Sequence, residues 1–358
     1  MNHAGEDFVR ALTVVPGMPN SASIDDVPEP PATDGSVLVR SLALGICATD
    51  REIVAGKLGE SPPGQRRLIL GHESLGRVEE APADCDLKKG DLVVGIVRRP
   101  DPVPCPACAV GEWDMCRNGE YSERGIKARN GYGAERFRIE PQFAIKLDPL
   151  LGIHGVLLEP ASILAKAWEH TEYVGRRSKA WRPSTVLVTG AGPIGLLAAL
   201  FGAQRGLDVH VLDRDCGGEK ESLVRELGGA YHAGGIELVA RLQPDIVMEC
   251  TGAPALIAGV LGRTAPAGIT CLVGIAAGGH ECKLDIGSID RTLVADNDLV
   301  LGCVNANRRH FEAAAEALRL ANPSWLDRLI TRRVRFEHWQ EALQQKPGDI
   351  KVAIDFAL

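Results

Sequence analysis

The pattern of apolar and polar positions divides the chain into two parts. Up to residue 150, short β-type runs such as SVLVRSLAL, LVVGIV and ERFRI alternate with turn residues, which predicts a β-rich domain with long loops. From Gly155 to Glu172 apolar residues recur at helical intervals, and the polar segment GRRSKAWRPST follows. We therefore expect a helix over 155–172 and a domain boundary near Pro183.

The second part alternates compact apolar runs with helix-like segments. The apolar runs are TVLVTG, HVLD, IVMECTG, TCLVGI and LVLGCV, and the intervening segments include PIGLLAALFGAQRG and EKESLVRELGG. This alternation predicts an α/β domain with a doubly wound parallel sheet over 183–305. Two further helical segments and a last strand, KVAIDFAL, lead us to expect that 306–358 rejoin the β-rich domain of 1–182.

Composition narrows the possible functions. The 358 residues suffice for two domains, and the net charge of -7 with 4% aromatic residues argues against a nucleic-acid partner. The acidic start, MNHAGED, is unlike a signal peptide, and we expect no stretch of bilayer length, so the prediction is a cytoplasmic protein without a membrane partner. In such a chain the ten cysteines favour metal ligation, catalysis or packing over disulfides.

A glycine motif begins where TVLVTG ends. Gly190, Gly192 and Gly195 lie between a predicted strand and a predicted helix, where they permit a tight turn, backbone approach to a pyrophosphate and close helix packing. With Pro193 and Ile194 they form a helix N-terminus, which favours anions. The motif predicts a dinucleotide site.

Residues at the ends of later strands refine this site. Asp213 stands where a carboxylate accepts the ribose hydroxyls of NAD, while Arg214 would accommodate the 2′-phosphate of NADP or lie along the adenine. NAD is preferred and NADP stays open. Thr251 and Gly274 end strands on the same carboxyl edge, either as cofactor contacts or as plain turns.

Two groups of residues have metal-ligand chemistry. GICATDRE supplies Cys47, Thr49 and Asp50, and LILGHESLG supplies His72 and Glu73. Their thiolate, imidazole and carboxylates can form an open tetrahedral zinc site, although single cysteines and histidines are often only packing residues. Further along, VRRPDPVPCPACAVGEWDMC holds three cysteines at metal-ligand spacing, Cys105, Cys108 and Cys116. A closed zinc site needs four ligands, so this lobe is a site with another ligand, a decayed site or three buried thiols.

GICATD, GHESLG and TGAGPIG, in that order, resemble the zinc-dependent medium-chain dehydrogenases over essentially the whole chain. Four further segments, VRRP, ERGI, LLEPASILAKAWE and GCVNANRRHFEAA, are most similar to the glucose dehydrogenases of archaea and some bacteria. The resemblance implies a groES-like catalytic domain, a Rossmann domain, and a C-terminus that returns to the catalytic domain.

The resemblance also implies roles for individual residues. Cys47 and His72 would hold a catalytic zinc, Glu73 would be a ligand or lie close behind one, and Glu159 would take the remaining ligand position. A carboxylate is a harder ligand than a thiolate and leaves the ion more electrophilic, which favours a sugar or polyol over a simple alcohol. In the cysteine lobe, alignment of VRRP places Asp101 at the position of the fourth structural ligand.

The implied reaction is hydride transfer from the anomeric C1 of an aldose to NAD(P), giving an aldonolactone. Thr49 would pass on the hydroxyl proton, Glu123 and Asn305 would bind sugar hydroxyls, and Val304 with Asn305 would lie by the nicotinamide. Because Val97, Ile163 and Ala295 depart from residues found in some members, the expected substrate is an aldose, with glucose the first candidate.

Several alternatives stay open beside this interpretation. They are a polyol, threonine or alcohol dehydrogenase on the same scaffold, and a nucleotide-sensing protein without turnover, because a fold does not prove activity. The resemblance implies a dimer or tetramer, with the strand LVLGCV at the interface.

Overall fold

The computed structural model describes residues 8–276 and 282–358, which form two compact units. Among the described residues, one unit contains 8–159 and 305–358, and the other contains 160–276 and 282–304. The division comes before the boundary expected near Pro183 because the helix in between packs with the second unit. Within that unit Arg205 pairs with Glu172 at 2.5 Å and lies over the ring of Trp168. The acidic start, residues 1–7, lies outside the described residues.

The N-terminal part of the first unit is mostly β-structure, as its short runs predict. Its strands are β1 (Phe8–Val14), β2 (Ser23–Pro28), β3 (Val37–Ile46), β4 (Leu68–Ile69), β5 (Glu73–Glu80), β6 (Leu92–Gly95), β7 (Arg98–Arg99), β8 (Ser122–Arg124), β9 (Ala128–Arg129), β10 (Arg136–Ile139) and β11 (Ala144–Lys146). Two short helices, α1 (Ala48–Val54) and α2 (Pro106–Ala109), lie in the loops.

The second unit is an α/β domain. The long helix α3 (Leu158–Gly175) leads into it, and its strands and helices follow as β12 (Thr185–Thr189), α4 (Pro193–Gln204), β13 (Asp208–Asp213), α5 (Glu219–Glu226), β14 (Ala230–Ala233), β15 (Ile246–Glu249), α6 (Pro254–Val260), β16 (Ile269–Leu272), α7 (Ile286–Asp296) and β17 (Leu299–Gly302). All pairings are parallel, in the order β14-β13-β12-β15-β16-β17. This is the doubly wound order of a Rossmann sheet.

The remaining residues return to the first unit as α8 (Arg308–Leu320), α9 (Pro323–Leu329), β18 (Ile330–Arg335), α10 (Trp339–Leu343) and β19 (Lys351–Asp355). The last strand pairs antiparallel with β3, and β18 pairs parallel with β19. These strands complete a seven-stranded sheet of order β11-β6-β5-β3-β19-β18, with β10 also paired to β3. The last strand of the chain therefore shares a sheet with β3, and Val352 of β19 lies opposite Ile46, two residues before α1.

One helical segment contradicts the expectation that no stretch reaches bilayer length. Pro149–Gly175, a 3-10 turn continued by α3, is long and apolar enough to cross a membrane by length and composition, with a mean hydropathy of 1.3. However, 78% of its most apolar window is buried inside the protein. Such burial is typical of a core helix, and apolarity here serves packing.

Candidate active site

The first group of predicted metal ligands comes together at the start of α1. Cys47 caps this helix, since its sulfur accepts the backbone N–H of Thr49 at 3.3 Å, and its Sγ lies 3.0 Å from Nε2 of His72 at the start of β5. The strands β3 and β5 pair side by side, which places the loops that hold these two residues next to each other. The Thr49 hydroxyl makes no hydrogen bond with any described residue and stays available.

His72 is held from its other side by Asp50. The Nδ1 atom of His72 lies 3.4 Å from Oδ1 of Asp50, whose Oδ2 accepts the backbone N–H of Cys47 at 2.9 Å. Burial opposes protonation of His72, but Cys47 and Asp50 together raise its pKa well above the usual value. A carboxylate behind a histidine fixes the tautomer that leaves Nε2 free to bind a metal. The sequence offers Asp50 as one of the carboxylates of the zinc site, but its support of His72 is not predicted.

Two further carboxylates, those of Glu73 and Glu159, lie close to His72. Potential ligand atoms of His72, Glu73 and Glu159 fall within 4.8 Å of one another, as do those of Cys47, Asp50 and His72. Burial raises the pKa of Glu159 to about 7, and the negative charge of Glu73 acts in the same direction. His72 belongs to both groups, so its imidazole nitrogen has a thiol sulfur and carboxylate oxygens nearby as further potential metal ligands.

Glu73 has a partner of its own. Both of its carboxylate oxygens accept from Lys351 Nζ, at 2.7 and 2.6 Å, and both side chains are almost completely buried. Burial opposes the charge of Lys351, but Glu73 and Cys47 raise the pKa of this lysine. Lys351 of β19 therefore neutralises the Glu73 carboxylate. This pairing favours a supporting role for Glu73 over direct metal ligation. Sequence reasoning missed Lys351, because it lies 278 residues from Glu73.

This donor set fits a catalytic zinc. Thiolate, imidazole and carboxylate are all accepted zinc ligands, and three protein donors leave a fourth position for water or substrate. Cys47, His72 and Glu159 would hold the ion, with Asp50 and the Glu73–Lys351 pair behind them. The buried Oδ1 of Asp50 and Nδ1 of His72 face each other without a well-formed hydrogen bond, and neither atom has another hydrogen-bond partner among the described residues. A metal on Nε2 would polarise the ring and strengthen this contact.

The predicted sugar-binding residues also meet in the first unit. Asn305 Nδ2 donates to Glu123 Oε1 at 2.8 Å, and Asn305 has a left-handed backbone, with φ of 61°. Arg98 donates to the same oxygen through Nε and Nη2, at 3.1 and 3.0 Å. Val304 stands at the end of the second unit, where Lys166 Nζ donates to its carbonyl at 2.9 Å. The resemblance supplied Glu123 and Asn305, but neither Arg98 nor Lys166.

The three-cysteine lobe is compact. The sulfurs of Cys105, Cys108 and Cys116 lie within 4.8 Å of one another, but this group does not include a carboxylate oxygen of Asp101. Backbone N–H groups of Arg117 and Cys108 lower the pKa of Cys105 to about 6, while burial raises that of Cys108 to about 11. Asp101 Oδ1 accepts from the Val103 N–H at 2.8 Å, and its buried Oδ2 has no hydrogen-bond partner among the described residues.

The second unit builds the glycine turn that the sequence predicts. Gly190 has a φ of 86°, and a side chain at Gly195 would strike the Gly190 carbonyl oxygen at 1.7 Å. A Cβ on Gly192 would meet nothing within 4 Å, so this backbone faces open space at the N-terminus of α4. Pro193 and Ile194 form the first turn of that helix. The turn therefore fits a pyrophosphate group.

Asp213 ends β13 beside this turn. Its Oδ2 accepts the Ala191 N–H at 2.6 Å and its Oδ1 that of Asp215 at 3.0 Å, so the carboxylate also fixes the turn. Lys220 Nζ lies 3.6 Å from Asp213 and 2.6 Å from Asp215. Arg214 is exposed next to them. The sequence singled out Asp213 and Arg214 but missed Lys220, which α5 brings back to the strand end.

The ends of β15 and β16 are linked by a buried carboxylate that sequence reasoning also missed. Glu249 is fully buried and accepts hydrogen bonds from the hydroxyls of Thr189 and Thr251 and from the N–H groups of Thr251 and Gly252. A Cβ on Gly274 would strike Gly252 N at 2.2 Å. Thr251 and Gly274 therefore belong to one tightly packed edge of the sheet, the carboxyl edge at which Rossmann folds bind nucleotides.

Comparison with known proteins identifies the family. Residues 152–356 match the family model described as glucose dehydrogenase C-terminus, and residues 33–149 match the alcohol dehydrogenase GroES-like domain. The chain belongs to the glucose dehydrogenase family. This confirms the resemblance to zinc-dependent medium-chain dehydrogenases and the predicted combination of a groES-like domain with a Rossmann domain.

Relatives in this family match over nearly the full length. A glucose 1-dehydrogenase of Thermoproteus tenax is 40% identical over 97% of this chain and 99% of its own, and one of Methanocella arvoryzae is 38% identical with the same coverage. Among solved structures, a glucose dehydrogenase of Haloferax mediterranei in complex with NADP, Zn and gluconolactone superposes with a TM-score of 0.89. It is 31% identical and covers 98% of this chain and 99% of its own.

Proposed function

We propose that this protein is a zinc-dependent glucose 1-dehydrogenase that oxidises C1 of an aldose with NAD(P). A hydride leaves C1 for the nicotinamide, the anomeric hydroxyl loses its proton, and the sugar becomes an aldonolactone. Bound zinc supplies Lewis-acid polarisation of the hydroxyl, and NAD(P) supplies the hydride acceptor. The observation that carries the proposal is that His72 groups with Cys47 on one hand and with Glu159 on the other, in the same unit as the Glu123–Asn305 pair.

The residues of the chain divide this work. Cys47, His72 and Glu159 hold the metal, and Thr49 accepts the hydroxyl proton and passes it outward. Glu123 and Asn305 orient the sugar through vicinal hydroxyls, which require acceptors and donors in pairs. Gly192, Asp213 and the end of β15 hold the dinucleotide, and Val304 borders its nicotinamide. Full-length similarity to glucose 1-dehydrogenases supports this assignment over a binder without turnover.

A substrate panel tests the proposal. The zinc-loaded protein is assayed with NAD and NADP against aldoses, polyols, threonine and simple alcohols, by the absorbance of reduced nicotinamide. We expect glucose or a closely related aldose to give the highest kcat/KM and a lactone as product. A polyol or alcohol as best substrate would contradict the anomeric assignment, and absence of any turnover would favour the binder.

Three variants serve as controls for this panel. Cys47→Ala and His72→Ala should abolish turnover because each removes a metal ligand, while nucleotide affinity changes little because the glycine turn is in the other unit. Asp213→Ala should act in the opposite way, weakening NAD binding and leaving zinc content unchanged. Full activity after exhaustive chelation would contradict the catalytic zinc.

We further propose a structural zinc in the lobe, held by Cys105, Cys108 and Cys116 with Asp101 as fourth ligand. The grouping of the three sulfurs and the buried, unpaired Oδ2 of Asp101 support this site. A carboxylate oxygen is an accepted zinc ligand. The alternative is a lobe that has lost its metal and keeps its shape through packing.

Two other expectations stay predictions. One is a cytoplasmic location. The other is a dimer or tetramer assembled through β17, which is an edge strand of the six-stranded sheet and so has unpaired backbone groups. Light scattering tests the second, and a monomer would refute it.

A further inference from the structure

Arg98 occupies the centre of the proposed sugar-binding network, although the sequence predicts no role for it. We infer that Arg98 is a positioning residue that orients the Glu123 carboxylate toward the sugar and connects it to the three-cysteine lobe. This inference rests on the proposed function, because it concerns how the same substrate site is held in place.

Pairing of β7 with β8 explains why the two side chains meet. The strands are antiparallel and Arg98 lies directly opposite Glu123 in their register. Residues opposite each other in an antiparallel pair extend their side chains on the same face of the sheet. The Arg98 guanidinium and the Glu123 carboxylate therefore share a face, and both are mostly buried, with 7% and 13% of their side chains exposed.

The hydrogen bonds leave one oxygen of Glu123 for a ligand. Oε1 accepts three N–H groups, two from Arg98 and one from Asn305. No residue within 8–276 or 282–358 donates to Oε2. Because these three hydrogen bonds hold Oε1, the carboxylate is fixed in one orientation, and its second oxygen can accept sugar hydroxyls. An ionised acceptor makes stronger hydrogen bonds than a neutral one.

The other side of Arg98 is attached to the lobe. Nη1 donates to the carbonyl of Asp114 at 3.3 Å, between Cys108 and Cys116, and the guanidinium carbon lies 3.7 Å from the centre of the Tyr121 ring. The Asp114 carboxylate accepts from Asn307 Nδ2 at 2.8 Å, two residues after Asn305. The lobe therefore supports both the cation and the chain segment that orient Glu123.

This arrangement requires a planar guanidinium. Arginine presents several N–H groups in a fixed fork and stacks on an aromatic ring, whereas lysine is a single point charge on a flexible stem. A lysine at residue 98 would reach Glu123 or Asp114 but would not hold both. Removal of the Arg98 side chain would leave the Glu123 carboxylate with Asn305 as its one hydrogen-bond partner among the described residues.

The test is a double-mutant cycle on the full-length, zinc-loaded enzyme, with Arg98→Met, Glu123→Gln and the double variant. Arg99→Met is the matched control, because Arg99 is a neighbouring buried arginine on β7 that pairs with Glu140 and lies over Phe143 instead. The readouts are KM for the best aldose, KM for NAD(P), kcat, zinc content and thermal midpoint.

We expect Arg98→Met to raise the sugar KM roughly 10–100-fold, the factor that corresponds to lost hydrogen bonds of a charged group. The KM for NAD(P) should change less than about twofold, and Arg99→Met should have little effect on either. In the Glu123→Gln background, Arg98→Met should add less than about twofold, since Arg98 acts through Glu123. Arg98→Lys, used if the methionine variant fails to fold, should give an intermediate sugar KM.

The inference would be overturned if Arg98→Met raised the sugar KM by the same factor in the wild-type and Glu123→Gln backgrounds. It would also be overturned if Arg99→Met raised the sugar KM as much as Arg98→Met, or if Arg98→Lys kept the wild-type sugar KM. These outcomes differ from failure of the proposed function. If the wild type oxidises no aldose, or if Glu123→Gln leaves the sugar KM unchanged, the placement of the sugar at Glu123 fails, and the role of Arg98 falls with it.

Discussion

At the scale of single residues, His72 is the one donor that both groups of potential ligands share. Its usefulness as a ligand depends on which ring nitrogen carries the proton, and Asp50 decides this by its contact with Nδ1 at 3.4 Å. Asp50 is itself fixed, because it caps α1 through the Cys47 N–H. One carboxylate thus sets the start of a helix and the tautomer of a metal ligand.

Asp50→Asn should therefore weaken the metal site while it keeps the helix cap. The amide oxygen would still accept the Cys47 N–H, but its NH2 group would face Nδ1 and favour the tautomer that protonates Nε2. We expect zinc affinity or kcat/KM to fall about 10–100-fold, as for other residues that orient metal ligands. Chelator competition measures the affinity. Asp91→Asn, which removes a carboxylate paired with Lys146 in the same unit, is the control and should change neither quantity.

Lys220 bears on the choice between NAD and NADP. Asp213 alone would repel a 2′-phosphate, but Lys220 lies 3.6 Å from it and partly neutralises this charge. Lys220→Met should lower the ratio of kcat/KM for NADP to that for NAD about tenfold, a difference of roughly 1.4 kcal/mol. Lys179→Met, in the exposed connector of the same unit, is the control. A ratio unchanged by Lys220→Met would show that Arg214 or the backbone sets the preference.

The residues that sequence reasoning found and those it missed differ in a physical way. Cys47, His72 and the glycines occur in short motifs whose spacing reflects local chemistry. Lys351, Arg98, Glu249 and Lys220 act through contacts that strand pairing or helix return creates, and a salt bridge between distant positions leaves no local pattern. Asp50 is the one supporting residue with a local pattern, since its spacing from Cys47 is that of a capping box.

At the scale of secondary structure, the turn between β12 and α4 separates the folding role of a glycine from its binding role. Gly195 is needed because a Cβ there would strike the Gly190 carbonyl, whereas Gly192 faces open space. Substitution with alanine should therefore affect different properties at the two positions.

Gly192→Ala should leave the thermal midpoint of the cofactor-free protein nearly unchanged and raise the KM for NAD(P) about tenfold or more, because the methyl group fills space that a pyrophosphate needs. Gly195→Ala should lower the free energy of unfolding by about 1–3 kcal/mol, the usual cost of overpacking. Thermal unfolding and cofactor titration measure both effects. Equal losses of stability for the two variants would contradict this division.

The secondary-structure elements differ in how well the sequence predicts them. Five of the six strands of the parallel sheet, all except β14, are recognisable from the sequence together with α4, because buried runs and helical periodicity are strong signals there. The position of β14, the short α2 and the pairing of β18 with β19 were not, since these elements are short and their partners are distant in sequence. The helix over 155–172 was predicted, but its packing with the second unit was not.

At the scale of the whole molecule, the two proposed metal sites have different purposes, so their loss should have different effects. We expect about two zinc ions per chain in the wild type and about one in either Cys47→Ala or Cys108→Ser. Cys47→Ala should lose turnover and keep its thermal midpoint, while Cys108→Ser should lower the midpoint, because a closed zinc site contributes to folding. One zinc per wild-type chain would favour a lobe without metal.

The central claim is that hydride leaves the anomeric carbon of an aldose. Glucose deuterated at C1 tests it directly, in single turnovers of the wild type with NAD(P) followed by mass spectrometry of both products. The account predicts one deuterium in the reduced nicotinamide, an unlabelled lactone and a lower rate than with unlabelled glucose. A product that retains deuterium at C1 beside unlabelled reduced cofactor would contradict it.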